Sequence, residues 1–172
     1  TYYLTVSPEP VKTHNELEFV EFVPLNDVNS FNLANPLKGL QPGGMLFVQS
    51  PKTKSSDIWR DFPKWAQKII REKKIKVLAL DTVKIAKEVS SKADLIQRMQ
   101  GIVLLGIFLK ATPFMERSKI SEDELMAEVE KSLRKYFGKR GEQVVQDNLK
   151  AVQRGFNEVF EVKLEDLKEV LV

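Results

Sequence analysis

The sequence contains no cysteine and only one histidine, His14, among its 172 residues. The lack of cysteine excludes disulfide bonds, thiolate metal ligands, iron–sulfur ligation and a cysteine nucleophile within this chain. One histidine without cysteine does not provide the ligands of a typical zinc site. Nothing in the sequence indicates a nucleophile and an orienting group that would complete a triad with His14. A structural or surface role for His14 is therefore the favoured interpretation.

Long apolar runs and phosphate-binding motifs are also missing. The longest apolar run, residues 102–109, is far too short to span a bilayer, and no signal peptide is visible. No Walker-type loop is present, and no Gly-x-Gly-x-x-Gly motif follows a predicted strand. Gly43 and Gly44 precede a strand, which is the wrong end for a dinucleotide fingerprint. We expect a cytoplasmic protein without a membrane partner.

Charge is balanced along the chain. The net charge is +3, and acidic and basic residues are interleaved in the predicted helices without a long block of one sign. This pattern favours a solvated surface over a nucleic-acid patch, so we expect no nucleic-acid partner. Lys52 and Lys54 together with Lys73, Lys74 and Lys76 could form a local basic patch, but no aromatic residues are interleaved with them.

What the sequence does contain is a strong central strand. Residues 45–48 are a short apolar run that follows the turn-forming residues 42–44, Pro-Gly-Gly, and a run of this kind predicts a buried strand. Further strands are predicted near residues 2–6, 19–25 and 76–81. A connection of about 25 residues joins the strand at 45–50 to the strand at 76–81, which is enough for a right-handed parallel crossover. We therefore predict one domain, residues 1–172, of the three-layer α/β/α class with a mostly parallel sheet.

Helices account for most of the remaining chain. The helix at residues 95–111 is apolar on nearly all sides, so it must be covered on all sides, and its glycines, Gly101 and Gly106, predict close backbone packing. Thr82 is predicted to cap a short helix, and Ser121 with Glu124 forms the pattern of a capping box. Additional helices are predicted at residues 58–74, in two pieces joined near Pro63, and at 121–137, 142–159 and 164–171.

The ends of the predicted parallel strands are the only part of the chain where topology alone suggests a site. Ligands and partners of open α/β sheets meet the carboxyl ends of parallel strands. Ordinary capping of the following helices explains the polar residues found there better than ligand binding does, but a functional surface, if present, is expected at this edge. Its residues are Asn26, Asp27, Gln49, Ser50, Lys52, Asp81 and Thr82.

Five short segments, in order along the chain, resemble the gamma subunit or gamma domain of the 2-oxoacid (pyruvate or ketoisovalerate):ferredoxin oxidoreductases. The segments are EPVKTH at 9–14, LKGLQPGGMLFVQS at 37–50, LDTVKIA at 80–86, GIFLKAT at 106–112 and KAVQRGF at 150–156. They resemble the family patterns EPI-R-x-H, L-x-x-G-L-K-P-G-G, D-A-T-x-I-A, L-G-A-L-A-K-A-T and N-x-x-A-F-x-R-G-Y. Each is short, and their order along residues 3–159 gives the resemblance its specificity.

The resemblance implies a function that this chain performs only with partners. Family members oxidatively decarboxylate a 2-oxoacid to an acyl-coenzyme A and pass electrons to ferredoxin. Thiamine diphosphate and iron–sulfur clusters are bound mainly by other subunits, so the resemblance implies no cofactor, metal or catalytic residue in this chain. The sequence departs from the family pattern in lacking the first strand and its Gly-rich loop, G-x-G-G-Q-G, so the role of that loop cannot be transferred.

Two functions from different classes remain open on the sequence. The first is the cofactor-free gamma subunit of such an oxidoreductase, inactive when alone. The second is a stand-alone α/β binding or scaffold domain without a catalytic partner. Because the helix at 95–111 needs cover on all sides, we also expect part of it, or the strand ends at Asn26, Gln49 and Asp81, to meet another subunit. The isolated chain is then expected to self-associate.

Overall fold

The computed structural model describes residues 9–12, 17–91 and 93–164. The strand predicted at 2–6, His14 and the helix predicted after residue 164 lie outside these residues. The strands are β1 (Val20–Leu25), β2 (Leu40–Gln49), β3 (Lys76–Leu80) and β4 (Phe160–Glu161). The helices are α1 (Ser30–Leu33), α2 (Ser55–Arg60), α3 (Lys64–Glu72), α4 (Thr82–Val89), α5 (Ile96–Ala111), α6 (Phe114–Ser118), α7 (Glu122–Phe137) and α8 (Glu142–Glu158).

The sheet has the order β1-β2-β3-β4. The first three strands are parallel, and β4 pairs antiparallel with β3. This arrangement confirms the predicted mostly parallel sheet and places β2 inside it. The sequence analysis missed β4, because two residues after a long helix carry no alternating pattern that would predict a strand.

β2 is longer than predicted because the predicted turn at residues 42–44 is part of the strand. Val20 pairs with Leu40 and Phe22 with Met45, so five steps along β2 stand opposite two along β1. This bulge requires Gly43, whose φ is 74°, and its amide donates to the carbonyl of Lys73 at 2.8 Å. The Pro-Gly-Gly residues therefore bend a strand instead of preceding one.

Helices cover both faces of the sheet, which gives the predicted three layers. Leu46, Val48 and Val77 point to the face covered by α1, α2 and α3, where Phe31, Ile58 and Ile70 are almost completely buried. The alternate strand residues Phe47, Leu78 and Leu80 point to the other face, which α4, α5 and α8 cover. Alternation along the buried strands thus sends their side chains into two cores, one on each face of the sheet, and a third cluster in the described residues contains Leu109, Leu125, Val152 and Phe156 of α5, α7 and α8.

The helix α5 is covered mainly by α8 through close backbone contact. A Cβ atom added at Gly106 of α5 would lie 2.0 Å from the Val152 carbonyl oxygen of α8. A Cβ atom at Gly155 of α8 would lie 2.1 Å from the Val103 carbonyl oxygen of α5. The close packing predicted for Gly106 is confirmed. The same prediction was wrong for Gly101, which faces open space.

Side chains near the first turns of α4 and α7 determine where these helices begin. The N-cap of α4 is Asp81, whose carboxylate accepts from the Lys84 amide at 3.0 Å, so Thr82 is the first helical residue and not the predicted cap. The capping box predicted before α7 is confirmed. Ser121 accepts from the Glu124 amide at 3.2 Å, and Glu124 accepts from the Ser121 amide at 2.8 Å. The Ser121 amide and the Ser121 hydroxyl both donate to the Glu124 carboxylate and hold its pKa below the ordinary value.

The junction between α7 and α8 is held by Arg134. Its guanidinium donates to Glu130 at 2.7 Å and to both carboxylate oxygens of Glu142, at 2.6 and 2.9 Å. The hydrogen bonds from Arg134, and a further one from Gln146, lower the pKa of Glu142 to about 2. The charged form of Glu142 is therefore the form that the folded junction binds.

The close approach of α5 and α8 predicts opposite effects for two glycine substitutions in one helix. We expect Gly106→Ala to destabilise the protein by about 3 kcal/mol or more, because the new methyl group collides with backbone atoms that cannot move independently. The matched control, Gly101→Ala, gains helix propensity in open space and is expected to stabilise by up to about 1 kcal/mol. Urea unfolding of both variants measures the difference, and equal effects would contradict the packing described above.

The Arg134 junction predicts a change in acid stability. Because the folded-state pKa of Glu142 lies below its ordinary value of 4.5, the contribution of the pair is fully present above pH 4.5 and is lost as the pH falls through about 2. We expect the Arg134→Gln variant to lose less free energy of unfolding than the wild type does as the pH falls across this range. Lys131→Gln, which removes the same charge from an exposed pair with Glu128, is the control and should leave the slope unchanged. Urea midpoints against pH provide the measurement.

Candidate functional site

Parallel pairing brings the carboxyl ends of β1, β2 and β3 to one edge of the sheet. Leu25 of β1 pairs with Val48 of β2, and Gln49 of β2 pairs with Leu80 of β3. The residues that follow these strands form the edge predicted from topology, which we call the strand-end rim. It consists of Asn26, Asp27, Gln49, Ser50, Lys52, Asp81 and Thr82.

Gln49 joins the ends of β2 and β3 through its side-chain amide. Its nitrogen donates to the Asp81 carboxylate at 3.0 Å. Its oxygen accepts from the Thr82 backbone amide at 2.6 Å and from the Thr82 hydroxyl at 2.5 Å. Since Thr82 is 3% exposed, both of its donors need a partner inside the protein. Gln49 supplies that partner.

Ser50 and Lys52 are held by the chain that follows β2. The Ser50 amide donates to the Leu80 carbonyl at 3.2 Å, and the Ser50 hydroxyl accepts from the Lys52 amide at 3.1 Å. The Lys52 ammonium donates to the Asp61 carboxylate at 2.6 and 2.7 Å and to the Asp57 carbonyl at 3.3 Å. The charge of Lys52 is thus partly balanced at the start of the crossover.

The end of β1 contributes exposed groups to the rim but no link to the other two strands. Asp27 accepts from the Asn29 amide at 2.9 Å and from the Asn29 side chain at 3.0 Å, so its bonds are local. Asn26 and Asp27 are both exposed. The rim therefore consists of a hydrogen-bonded cluster at the ends of β2 and β3 and of exposed polar residues at the end of β1.

A small cavity of about 60 Å³ opens beside the end of β2. Gln49, Ser50 and Asp61 provide its polar lining, and Val48, Ile58 and Phe62 are among its apolar lining residues. Its volume is far below the roughly 300–1,000 Å³ of a typical small-molecule site. The rim is consequently better shaped to receive a protruding side chain than a whole ligand.

A wider groove of about 570 Å³ lies between the end of α4 and α8, and the sequence analysis did not predict it. Asp147 of α8 lines it and is 7% exposed. Burial raises the pKa of Asp147, whereas the hydrogen bonds from Ser91 and Gln143 lower it. The hydrogen bonds together have the larger effect, so the net shift of the pKa is downward. The Ser91 amide is 3.0 Å from one carboxylate oxygen, and Gln143 is 2.7 Å from the other. Asp147 thus anchors the loop after α4.

Another unpredicted contact joins α4 to α8 at the edge of this groove. Arg154 of α8 donates to Glu88 of α4 at 2.6 Å and also binds Glu158 on its own helix. The hydrogen bond from Arg154 lowers the pKa of Glu88. The sequence held no signal for this pair, because its members are separated by 66 positions.

The chemistry available to the described residues is limited. They contain no group of three or more histidine, cysteine, aspartate or glutamate side chains that could hold a metal ion. With no cysteine in the sequence, the chain does not fit an iron–sulfur cluster. In the same described ranges no helix is long and apolar enough to cross a membrane. At the rim and in the groove, the carboxylates of Asp81 and Asp147 accept hydrogen bonds from other groups of the chain itself.

Sequence comparison resolves the family. Residues 1–158 match the protein family described as pyruvate ferredoxin/flavodoxin oxidoreductase. The chain belongs to this family. It is 25% identical over 162 residues to the putative pyruvate-flavodoxin oxidoreductase of Synechocystis sp., which covers 94% of this chain and 13% of that protein. It is 29% identical over 126 residues to the pyruvate-flavodoxin oxidoreductase of Trichormus variabilis, which covers 73% of this chain and 10% of that protein.

The fold has a relative of known structure. Subunit PORC of the pyruvate oxidoreductase from Thermotoga maritima superposes with a TM-score of 0.56 at 20% identity, over 86% of this chain and 67% of that one. This similarity shows a shared α/β fold. The chain spans only 13% and 10% of the two curated relatives described above.

The Gln49 cluster predicts a local stability effect at the rim. We expect Gln49→Leu, which keeps the size of the side chain, to destabilise the protein by about 1–3 kcal/mol because the buried donors of Thr82 lose their acceptor. Gln153→Leu makes the same chemical change at an exposed position of α8 and is expected to stay within about 0.5 kcal/mol of the wild type. Urea unfolding compares the two, and a Gln49 variant as stable as the control would contradict this role.

Proposed function

We propose that the chain is the gamma-type part of a pyruvate:ferredoxin or pyruvate:flavodoxin oxidoreductase. In this role it binds the other parts of the enzyme, which carry thiamine diphosphate and the iron–sulfur clusters, bind coenzyme A and pass electrons to ferredoxin or flavodoxin. The family match over residues 1–158 is the observation that carries the proposal. Pyruvate is preferred over ketoisovalerate as the substrate because the matched family and the curated relatives are named for pyruvate.

The chemistry of the chain supports a role without its own cofactor. The sequence has no cysteine to ligate a cluster, and the Asp61 and Asp81 carboxylates near the rim are held in an ion pair and a helix cap. The chain alone is therefore proposed to be inactive, with catalysis completed by parts of the enzyme that it contacts. A cytoplasmic location fits this role.

The strand-end rim is proposed as the surface that meets those other parts. The polar groups of Gln49, Asp81 and Thr82 are bonded within the chain, so a partner that covers them need not supply their hydrogen bonds. Asn26 and Asp27 are exposed after the end of β1 and can make new polar contacts. Polar groups that are already hydrogen-bonded within the chain lose little free energy when a partner covers them. Exposed polar residues beside them can form the hydrogen bonds that subunit interfaces typically contain.

Self-association of the isolated chain remains a prediction, with a weaker physical reason than the sequence suggested. Five residues of α5 are buried by the chain itself, namely Met99, Val103, Gly106, Ile107 and Leu109. Leu105 is 38% exposed and marks the part of the helix that its own chain leaves accessible. The rim is consequently the preferred contact with another subunit.

Reconstitution tests this function. The chain is produced with and without the remaining parts of the native enzyme, and pyruvate-dependent reduction of ferredoxin or flavodoxin is measured together with co-elution. We expect no activity and no visible absorption band from the chain alone, and activity from the assembled enzyme. Asn26→Arg at the rim should weaken assembly by about tenfold, because a large charge enters the interface. Asn157→Arg, on an exposed face of α8, is the control and should assemble normally.

Three results would overturn the proposal. They are a chromophore bound to the chain alone, full activity of the remaining enzyme without this chain, and failure of the chain to bind the other parts. The last result would favour the alternative of a stand-alone binding or scaffold domain. Equal assembly of Asn26→Arg and wild type would remove the rim from the interface while leaving the family role intact.

A further inference from the structure

A second surface lies at the end of α7, and its residues are separate from the strand-end rim. It consists of Lys135, Tyr136, Lys139 and Arg140, at the last turn of α7 and the short 3₁₀ turn Gly138–Arg140, and we call it the basic turn. Residues 131–141 contain five basic residues and no acidic one. Charge is interleaved over the chain as a whole, but this short stretch has one sign.

Within the part of the chain that the structure describes, no carboxylate forms an ion pair with Lys135, Lys139 or Arg140. Lys131 pairs with Glu128, and Arg134 pairs with Glu130 and Glu142. The contacts recorded for Lys135 and Arg140 are with the rings of Tyr136 and Phe137, each at 5.9 Å. The C-terminal dipole of α7 offsets only about half a unit of positive charge. Most of the charge on Lys135, Lys139 and Arg140 therefore faces solvent.

An exposed aromatic ring lies among these charges. Tyr136 is 74% exposed, whereas Leu133 on the preceding turn is buried and Phe137 is half-buried. Leu133 and Phe137 thus pack α7 against the protein, and the Tyr136 ring is left in solvent. Tyrosine and arginine are enriched in protein interfaces and among the residues that dominate binding energy.

The basic turn is also joined to a neighbouring helix and is accessible. Arg134 joins it to α8 through two hydrogen bonds to Glu142, which limits the entropy that binding would remove. Cβ atoms added at Gly138 or Gly141 would meet nothing within 4 Å, so the space above the turn is open. A preformed, open and positively charged surface is suited to fast, charge-steered association.

We propose that the basic turn docks an acidic surface of another protein. Carboxylates would pair with Lys135, Lys139 and Arg140, and Tyr136 would pack against the centre of the contact. A protein is favoured over a nucleic acid because the turn offers one exposed ring and no series of rings for successive bases. The chain also corresponds to about one eighth of much longer relatives, so protein surfaces surround chains of this type.

Charge reversal with a matched control tests the proposal on the full 172-residue chain. The probe is a fluorescent oligoglutamate peptide, and a single-stranded oligonucleotide of equal charge is the second arm. The triple variant K135E/K139E/R140E should bind the peptide at least about tenfold more weakly than wild type. The control K38E/K87E/K163E changes the net charge by the same amount at exposed lysines elsewhere and should lose less than about twofold.

Two further variants test whether weaker binding results from loss of the docking surface, and not from unfolding or from a change in charge alone. K135Q/K139Q/R140Q removes the charges without introducing carboxylates and should also bind at least about tenfold more weakly, with an unchanged thermal midpoint. Tyr136→Ala should weaken peptide binding by about fivefold and leave its salt dependence unchanged, because it removes packing but no charge. Affinity for the peptide should fall with added salt.

Each outcome decides the proposal. Weaker peptide binding by the basic-turn variants, with the control unaffected, supports it. Equal losses in the control show that net charge and not this surface binds the peptide, which overturns it. Preferred binding of the oligonucleotide, or no peptide binding by wild type, also overturns it. These results leave the proposed family role untouched, since that role is tested by assembly through the rim.

Discussion

The parallel pairing of β2 with strands on both sides is the constraint on which the rest of the structure depends. Because β2 lies between β1 and β3, its alternating side chains enter two separate cores, with Leu46 and Val48 on one face and Phe47 on the other. The same pairing aligns three strand ends at one edge. Burial on the faces and polarity at the edge are therefore two consequences of a single register.

That register also explains why the rim is well bonded. Parallel strands end in free backbone groups, and the following helix starts add free amides, so this edge needs acceptors. Gln49 and Asp81 supply them to Thr82 and Lys84. These side chains therefore join the ends of β2 and β3 to the start of α4. The rim retains shape and a few exposed polar groups, which suit contact with a partner.

The sequence predicted those features whose causes lie close together in the chain. The apolar run of β2, the capping box at Ser121 and the break near Pro63 each follow from a few neighbouring residues, and all three are present. The order of strands near 19–25, 45–50 and 76–81 was sufficient to predict the sheet and the position of the rim. The family resemblance rested on the same segments, and the family match confirmed it.

What the sequence could not predict depends on distant partners. Gly101 and Gly106 look alike in the chain, and only the position of α8 decides that one meets a carbonyl while the other meets open space. The burial of Asp147 requires the loop at Ser91, which is 56 positions away. The bulge at Gly43 depends on how β1 aligns with β2. In each case the residue type limits the outcomes, and the tertiary neighbour selects one of them.

The arrangement of α8 connects these observations. One side of this helix packs on α5 through Gly155, so closely that a larger residue would have to separate the helices. Along its length Asp147 fixes the loop after α4, Arg154 binds Glu88, and Glu142 holds the end of α7. Because α8 is already committed to α4, α5 and α7, it has little freedom to rearrange when a partner binds. The two proposed binding surfaces, the strand-end rim and the basic turn, use residues other than these contacts of α8, so a partner could bind either surface without breaking them.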